Sequence, residues 1–182
     1  MAAAIENLMV TQAATGLETL FRSHHVRLLK AAYRITGSMA DAEDVAQSVF
    51  LRFARGDVDA GRIANLESYL YRAAVNAALD VIRARGHRES VPVETADALQ
   101  GNDSHSPERA QSSFEIRSWL RHELSKLHPR AAEMFILRYL EELDNPEIAR
   151  MMNTTQAVVA VTLYRTRAKL RKELKRFMKG AL

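Results

Sequence analysis

Along most of this chain apolar residues return every three to four positions, the spacing of a helix with one buried stripe. Leu17, Leu20, Phe21, Leu28, Ala31, Ala32 and Ile35 share such a stripe over about residues 17–36, and Gly37 supplies a C-terminal stop. Asp41 is placed to cap a second helix reaching about residue 55, with Ala42, Val45, Ala46, Val49 and Phe53 inward. An irregular loop at 56–65 leads to a third helix ending near residue 85, which turns Leu66, Tyr69, Leu70, Ala73, Ala77 and Val81 inward. A fourth helix ends at Leu127 and offers Trp119, Leu120, Leu124 and Leu127. Pro129 opens a fifth, where a missing amide costs no hydrogen bond, and this helix carries Met134, Phe135, Leu137 and Tyr139 to about residue 142. Asn145 and Pro146 begin a short sixth helix through Met152, and a turn at 153–155 introduces the seventh. In that turn Asn153 suits a left-handed backbone and Thr154 or Thr155 can cap the helix that follows, on which Val158 and Val161 or Leu163 are expected to face the core. The pattern predicts an all-α chain whose last two helices form a helix-turn-helix.

Residues 89–113 break every period. Pro92, Gly101, Asn102, Asp103, Ser104 and Pro107 interrupt them, and few apolar side chains are present to offset the entropy of ordering the segment. They read as a flexible linker between two small helical domains, 1–88 and 114–182. Charge follows the same division: the net +4 splits into +2 over 1–88, −4 over 89–113 and +6 over 114–182. Two basic modules on an acidic tether point toward a polyanion as partner. The absence of cysteine excludes disulfides, thiolate metal sites and a cysteine nucleophile. With no basic leader before an apolar run at 1–10, and no stretch near the roughly 18 apolar residues a membrane span needs, a cytoplasmic protein without membrane insertion is expected.

Three segments carry candidate chemistry. On the seventh helix, Thr155, Gln156, Ala160, Thr162, Tyr164, Arg165, Arg167 and Lys169 are left for an outward face that fits a DNA major groove. From residue 165 to 179 eight Lys/Arg face the single acid Glu173, more than a solvated helix without a polyanion partner usually carries. A plain helical hairpin with a charged face remains the alternative for the short pattern alone. The second helix, DAEDVAQSVFLRFAR, presents Asp41, Glu43, Asp44 and Gln47 with Phe50 and Leu51 at its margin; phosphates would repel those acids, so this surface suits a protein. The third helix combines Tyr69, Arg72, Asn76, Arg83 and Arg85, the mixture of ring, amide and cation that holds unstacked bases and their backbone. Its bland alternative puts Tyr69 in the core and Arg72 and Arg83 in solvent.

These segments resemble the extracytoplasmic-function subfamily of bacterial sigma factors, which keep sigma regions 2 and 4. Residues 41–55 are similar to the family's DAEDVxQxVFLR stretch. Leu70-Tyr71-Arg72-Ala73-Ala74-Val75-Asn76-Ala77-Ala78-Leu79-Asp80 resembles its LYRIAxNxAxD stretch. Leu127-His128-Pro129-Arg130, then Phe135 to Leu140, then Glu147-Ile148-Ala149 resemble the LPxR, FxLRYxE and EIA sequence of region 4. Order and spacing agree from Leu17 to Lys175. The resemblance implies partners: core RNA polymerase, through the clamp helices of its largest subunit and the flap of the second-largest, promoter DNA, and an anti-sigma factor. It implies that Asn76 helps capture a flipped base beside the 56–65 loop, that residues 156–167 contact the distal promoter element, and that the acidic linker threads the polymerase near the RNA path. The chain departs from the family at Ala160-Val161-Thr162, where Lys-Ser-Arg is frequent, and at Tyr69, where tryptophan is frequent.

A dimeric helix-turn-helix regulator is the competing binding hypothesis, but it leaves the acidic second helix and the polar third helix without a purpose. For an enzyme there is no phosphate loop, no His-Glu-x-x-His, no nucleophile elbow and no cofactor motif, and the six His do not pair at ligand spacing. A metal at Asp41, Glu43 and Asp44 competes poorly with their use in a first helical turn.

Overall fold

The computed structural model of the chain describes residues 2–56, 63, 65–86 and 107–180, with backbone alone at 2–18, 107–110 and 180. Seven helices and no strands are found among them: α1 (Ala2–Thr36), α2 (Met39–Ala54), α3 (Leu66–Gly86), α4 (Pro107–Ser125), α5 (Pro129–Tyr139), α6 (Asn145–Met151) and α7 (Gln156–Gly180). The all-α expectation holds. Most of the 89–113 linker and of the 56–65 loop lies outside the described residues.

Helix ends follow local chemistry. Gly37 takes φ +71°, which a residue with a Cβ rarely adopts, and its amide donates to the Tyr33 carbonyl at 2.8 Å to close α1. The cap of α2 is Ser38, not Asp41: the Ser38 hydroxyl accepts the Asp41 amide at 3.3 Å. Asp41 instead lies in the first turn, where a carboxylate complements the helix dipole. α4 starts at Pro107, so the last part of the 89–113 segment is helical; proline at a first helical position loses no bond there. α5 stops at Tyr139, short of the expected 142, and Glu142 takes φ 58° in the connection. α6 begins at Asn145 as expected, and Asp144 caps it in a reciprocal box with Glu147, at 2.7 and 2.8 Å. Asn153 adopts the expected left-handed φ, 48°, and Thr155 accepts the Val158 amide at 3.3 Å to cap α7.

α1 and α2 pack on one side of α3 and α4 and α5 on another, while α7 rests on α5 and α6. α3 is therefore buried more widely than one stripe. Leu70, Tyr71, Ala74, Val75, Ala78, Leu79 and Ile82 are fully buried, whereas Leu66, Tyr69, Ala73, Ala77 and Val81, expected to face inward, are partly covered. The apolar interior is one continuous cluster reaching from Leu28 in α1 to Leu163 in α7.

Polar contacts cross the seam between the N-terminal helices and α4–α7. Arg72 donates through Nε to Glu133 Oε1 at 2.6 Å and through Nη1 to the Met151 carbonyl at 2.7 Å, and Glu133 is only 3% exposed. Arg34 donates to Glu141 at 3.0 Å and to the Leu140 carbonyl at 3.2 Å. The Arg121 guanidinium of α4 occupies the space a side chain at Gly37 would fill; burial, with Arg117 adding repulsion, pushes its pKa down. The Tyr71 hydroxyl is buried with no acceptor in hydrogen-bond geometry, and burial, followed by the nearby Glu141, pushes its pKa far up.

Tyr71→Phe is accordingly expected to leave stability at neutral pH unchanged or raise it by up to about 1 kcal/mol, since an unsatisfied buried hydroxyl contributes nothing favourable. The phenol's folded pKa lies above its ordinary value of 10.0, so above that pH the unfolded chain's tyrosine ionises while the buried one stays neutral, and wild type loses stability as pH rises through that range. Urea unfolding at pH 8 and pH 11 checks both statements: wild type should lose more stability between the two than the phenylalanine variant.

Candidate nucleic-acid interface

Val159, Leu163, Thr166 and Leu170 are the buried residues of α7, spaced by four, three and four positions, and they fix the rotation of the helix. Of the residues expected in the core, Leu163, offered there as the alternative to Val161, is buried, whereas Val158 and Val161 are 47% and 48% exposed. The line opposite the core runs through Ala157, Val161, Tyr164 and Ala168 and continues as Arg171, Lys172, Lys175 and Lys179, all exposed. Of the residues expected to meet DNA here, Gln156, Ala160, Tyr164, Arg165, Arg167 and Lys169 are exposed, Thr162 is half-buried and Thr155 serves as the cap. Arg176 is held by Glu173 at 2.9 Å.

On α2 the outward face carries Glu43, Asp44, Gln47, Leu51 and Arg52. Phe50 is not at its margin: it is 5% exposed, with its ring 4.8 Å from that of Phe21. Leu51 is exposed, and Phe21, expected in the buried stripe of α1, is 38% exposed where it covers Phe50. Asp41 is engaged by Arg85 at 2.5 Å. No cluster of three or more metal-ligating side chains exists among the described residues.

The α3 residues are brought together less completely. Asn76 and Tyr69 are half-buried, Arg72 is held by Glu133, Arg83 by Asp80 at 2.8 Å and Arg85 by Asp41. All three cations thus have acceptors within the chain. A cleft of about 770 Å³ opens at the seam, lined by Arg27, Asn65, Tyr69, Arg72, Arg150 and Asn153 among others. Asn76 does not line it, and residues 57–62 and 64 of the expected neighbouring loop lie outside the described residues. No described helix is long and apolar enough to cross a membrane.

The chain has counterparts among known proteins. Residues 20–88 match the family model of sigma-70 region 2, and residues 117–170 match that of sigma-70 region 4. The RNA polymerase sigma-E factor of Streptomyces avermitilis is 31% identical over 159 residues, covering 86% of this chain and 84% of its own length. The ECF RNA polymerase sigma factor SigW of Bacillus subtilis is 29% identical over 158 residues, covering 82% of this chain and 83% of its own. The structure of CnrH, solved in complex with the cytosolic domain of CnrY, matches with a TM-score of 0.54 at 22% identity, over 93% of this chain and 96% of that one, a likeness of fold. Both regions matched in order, together with relatives aligned over most of both lengths, establish that the chain belongs to the extracytoplasmic-function subfamily of RNA polymerase sigma factors, proteins of promoter-directed transcription initiation.

Proposed function

We propose that residues 1–88 dock on core RNA polymerase through the outward face of α2 and engage the upstream-of-start element through α3. Residues 114–182 grip the distal element through α7, and the acidic segment at 89–113 joins the two. The observation that carries this reading is the segregation of surface chemistry. Glu43, Asp44, Gln47 and Leu51 form a face that repels phosphate and suits a protein, while the outward cations of α7 suit a polyanion. The polymerase contacts are the clamp helices of the largest subunit for α2 and the flap of the second-largest for the C-terminal helices. Asn76 and Tyr69 take part in capturing an unstacked base, and Arg72 joins them once it is free of Glu133. The chain works in the cytoplasm, contributes recognition and no catalytic step, and is held in check by an anti-sigma protein. That last element is supported by CnrH having been solved with the cytosolic domain of CnrY.

Run-off transcription with core polymerase tests the reading, with the chain alone on duplex DNA as the contrast: a stand-alone regulator binds tightly without polymerase, a sigma factor does so poorly. Asp44→Lys combined with Gln47→Ala is expected to weaken core binding at least tenfold, because both side chains are exposed and a repulsive charge enters a contact surface. The fold should survive. A pull-down with unchanged core affinity would count against α2 as the docking face.

A further inference from the structure

The outward line of α7 changes character halfway along. Its first turns present Ala157, Val161, Tyr164 and Ala168, flanked by Val158 and Ala160, and Tyr164 is 74% exposed. Its last turns present Arg171, Lys172, Lys175 and Lys179. A protein groove able to take the apolar half would meet a row of cations on the same line. Duplex DNA accommodates both halves. At 1.5 Å per residue the 25 residues of α7 extend roughly 37 Å, while the major groove winds once around the duplex in about 34 Å, so a straight helix seated in it by its first turns departs from it farther along. The remaining cationic turns must leave it across the phosphate backbone.

What Ala157, Ala160 and Val161 can read is limited by their chemistry, while the exposed Gln156 and Arg165 beside them keep donors for polar base edges or phosphates. Guanine, cytosine and adenine are distinguished in the major groove by hydrogen bonds, and Ala157, Ala160 and Val161 have no side-chain donor or acceptor. The one apolar group displayed there by the four unmodified bases is the C5 methyl of thymine. Resting on the reading that α7 binds the distal promoter element, we propose that Ala157, Ala160 and Val161 read thymine methyl groups in that element, with Arg171, Lys172 and Lys175 on the adjoining phosphates.

The test uses holoenzyme assembled from the full chain and core polymerase, and duplexes selected from a library with a randomised distal element. Selected elements are expected to place thymines, on either strand, under the first turns of α7. Replacing those thymines with deoxyuridine, which removes only the methyl, should weaken binding about fourfold per buried methyl, the transfer value of one such group. The same replacement outside the element should have no effect. Val161→Ser, a surface change that keeps the helix, should erase the thymine-to-uracil difference at one position while total affinity falls only a few-fold. Enrichment of elements that lack thymine, or an equal affinity for thymine and uracil duplexes, overturns the methyl readout and leaves promoter binding standing. Failure of holoenzyme to enrich any element overturns both.

Discussion

Arg72→Met is expected to destabilise the packing of the N-terminal helices on α4–α7 by about 3 kcal/mol. Glu133 lies in α5 at 3% exposure, and Arg72 is the side chain from the other half that satisfies it. Removing one partner of a buried pair typically costs about 3–5 kcal/mol because the other charge is left without compensation. The lower end applies here, since a third of the Arg72 side chain reaches solvent. The same guanidinium also holds the Met151 carbonyl at the end of α6, so one side chain ties α3 to two elements of the C-terminal half. A lysine has no planar fork with which to serve both acceptors, and Arg72→Lys should recover only part of the loss. Small-angle scattering should show a larger radius of gyration for the methionine variant than for wild type. An unchanged radius together with an unchanged urea midpoint would show that the pair does not hold the seam.

Leu79→Ala is expected to cost about 2–5 kcal/mol, the range for a fully buried leucine truncated to alanine. Leu79 has no exposed surface, and α1, α2, α4 and α5 all pack on its helix, so the cavity walls are held from several sides and cannot collapse far. Because the buried residues form one continuous cluster, the loss should appear as a shift of a single unfolding transition, followed by circular dichroism in urea. A second transition at the wild-type midpoint would mean that α4–α7 fold independently of the damaged core.

The number and order of helices were legible in the periodicity, and so were the stops that depend on one residue, Gly37 and Asn153, whose backbone requirements are local. Rotation about the helix axes was not. In α7, apolar residues at 158, 159, 161 and 163 allow more than one stripe, and α5 and α6 select the one through Val159 and Leu163, with Thr166 buried in line. In α3 a single inward face was expected because a lone helix needs only one; helices on two sides bury Tyr71, Val75 and Ile82 as well. Phe50 falls at the margin of α2 in the helical pattern, and only Phe21, which covers it from α1, makes it interior. Ser38 and Asp41 are both good capping residues, and nothing within the segment ranks one over the other. The surface chemistry was read from residue type alone and needed no partner, so the outward positions of Glu43, Asp44, Gln47, Arg165 and Arg167 agree with expectation. What no single segment could reveal is that Arg72 and Arg85 are held by acids on other helices, whereas Arg83 pairs with Asp80 of its own helix.

The Arg121 guanidinium and the Tyr71 hydroxyl, both stripped of water where the halves meet and both poorly matched to their surroundings, work against the contacts made by Arg34 and Arg72. Parting the halves restores hydration to both groups at the moment the ion pairs are given up. The joint thus sets favourable and unfavourable polar contributions side by side on a continuous apolar interior, so the polar groups tune a contact that the apolar interior supplies.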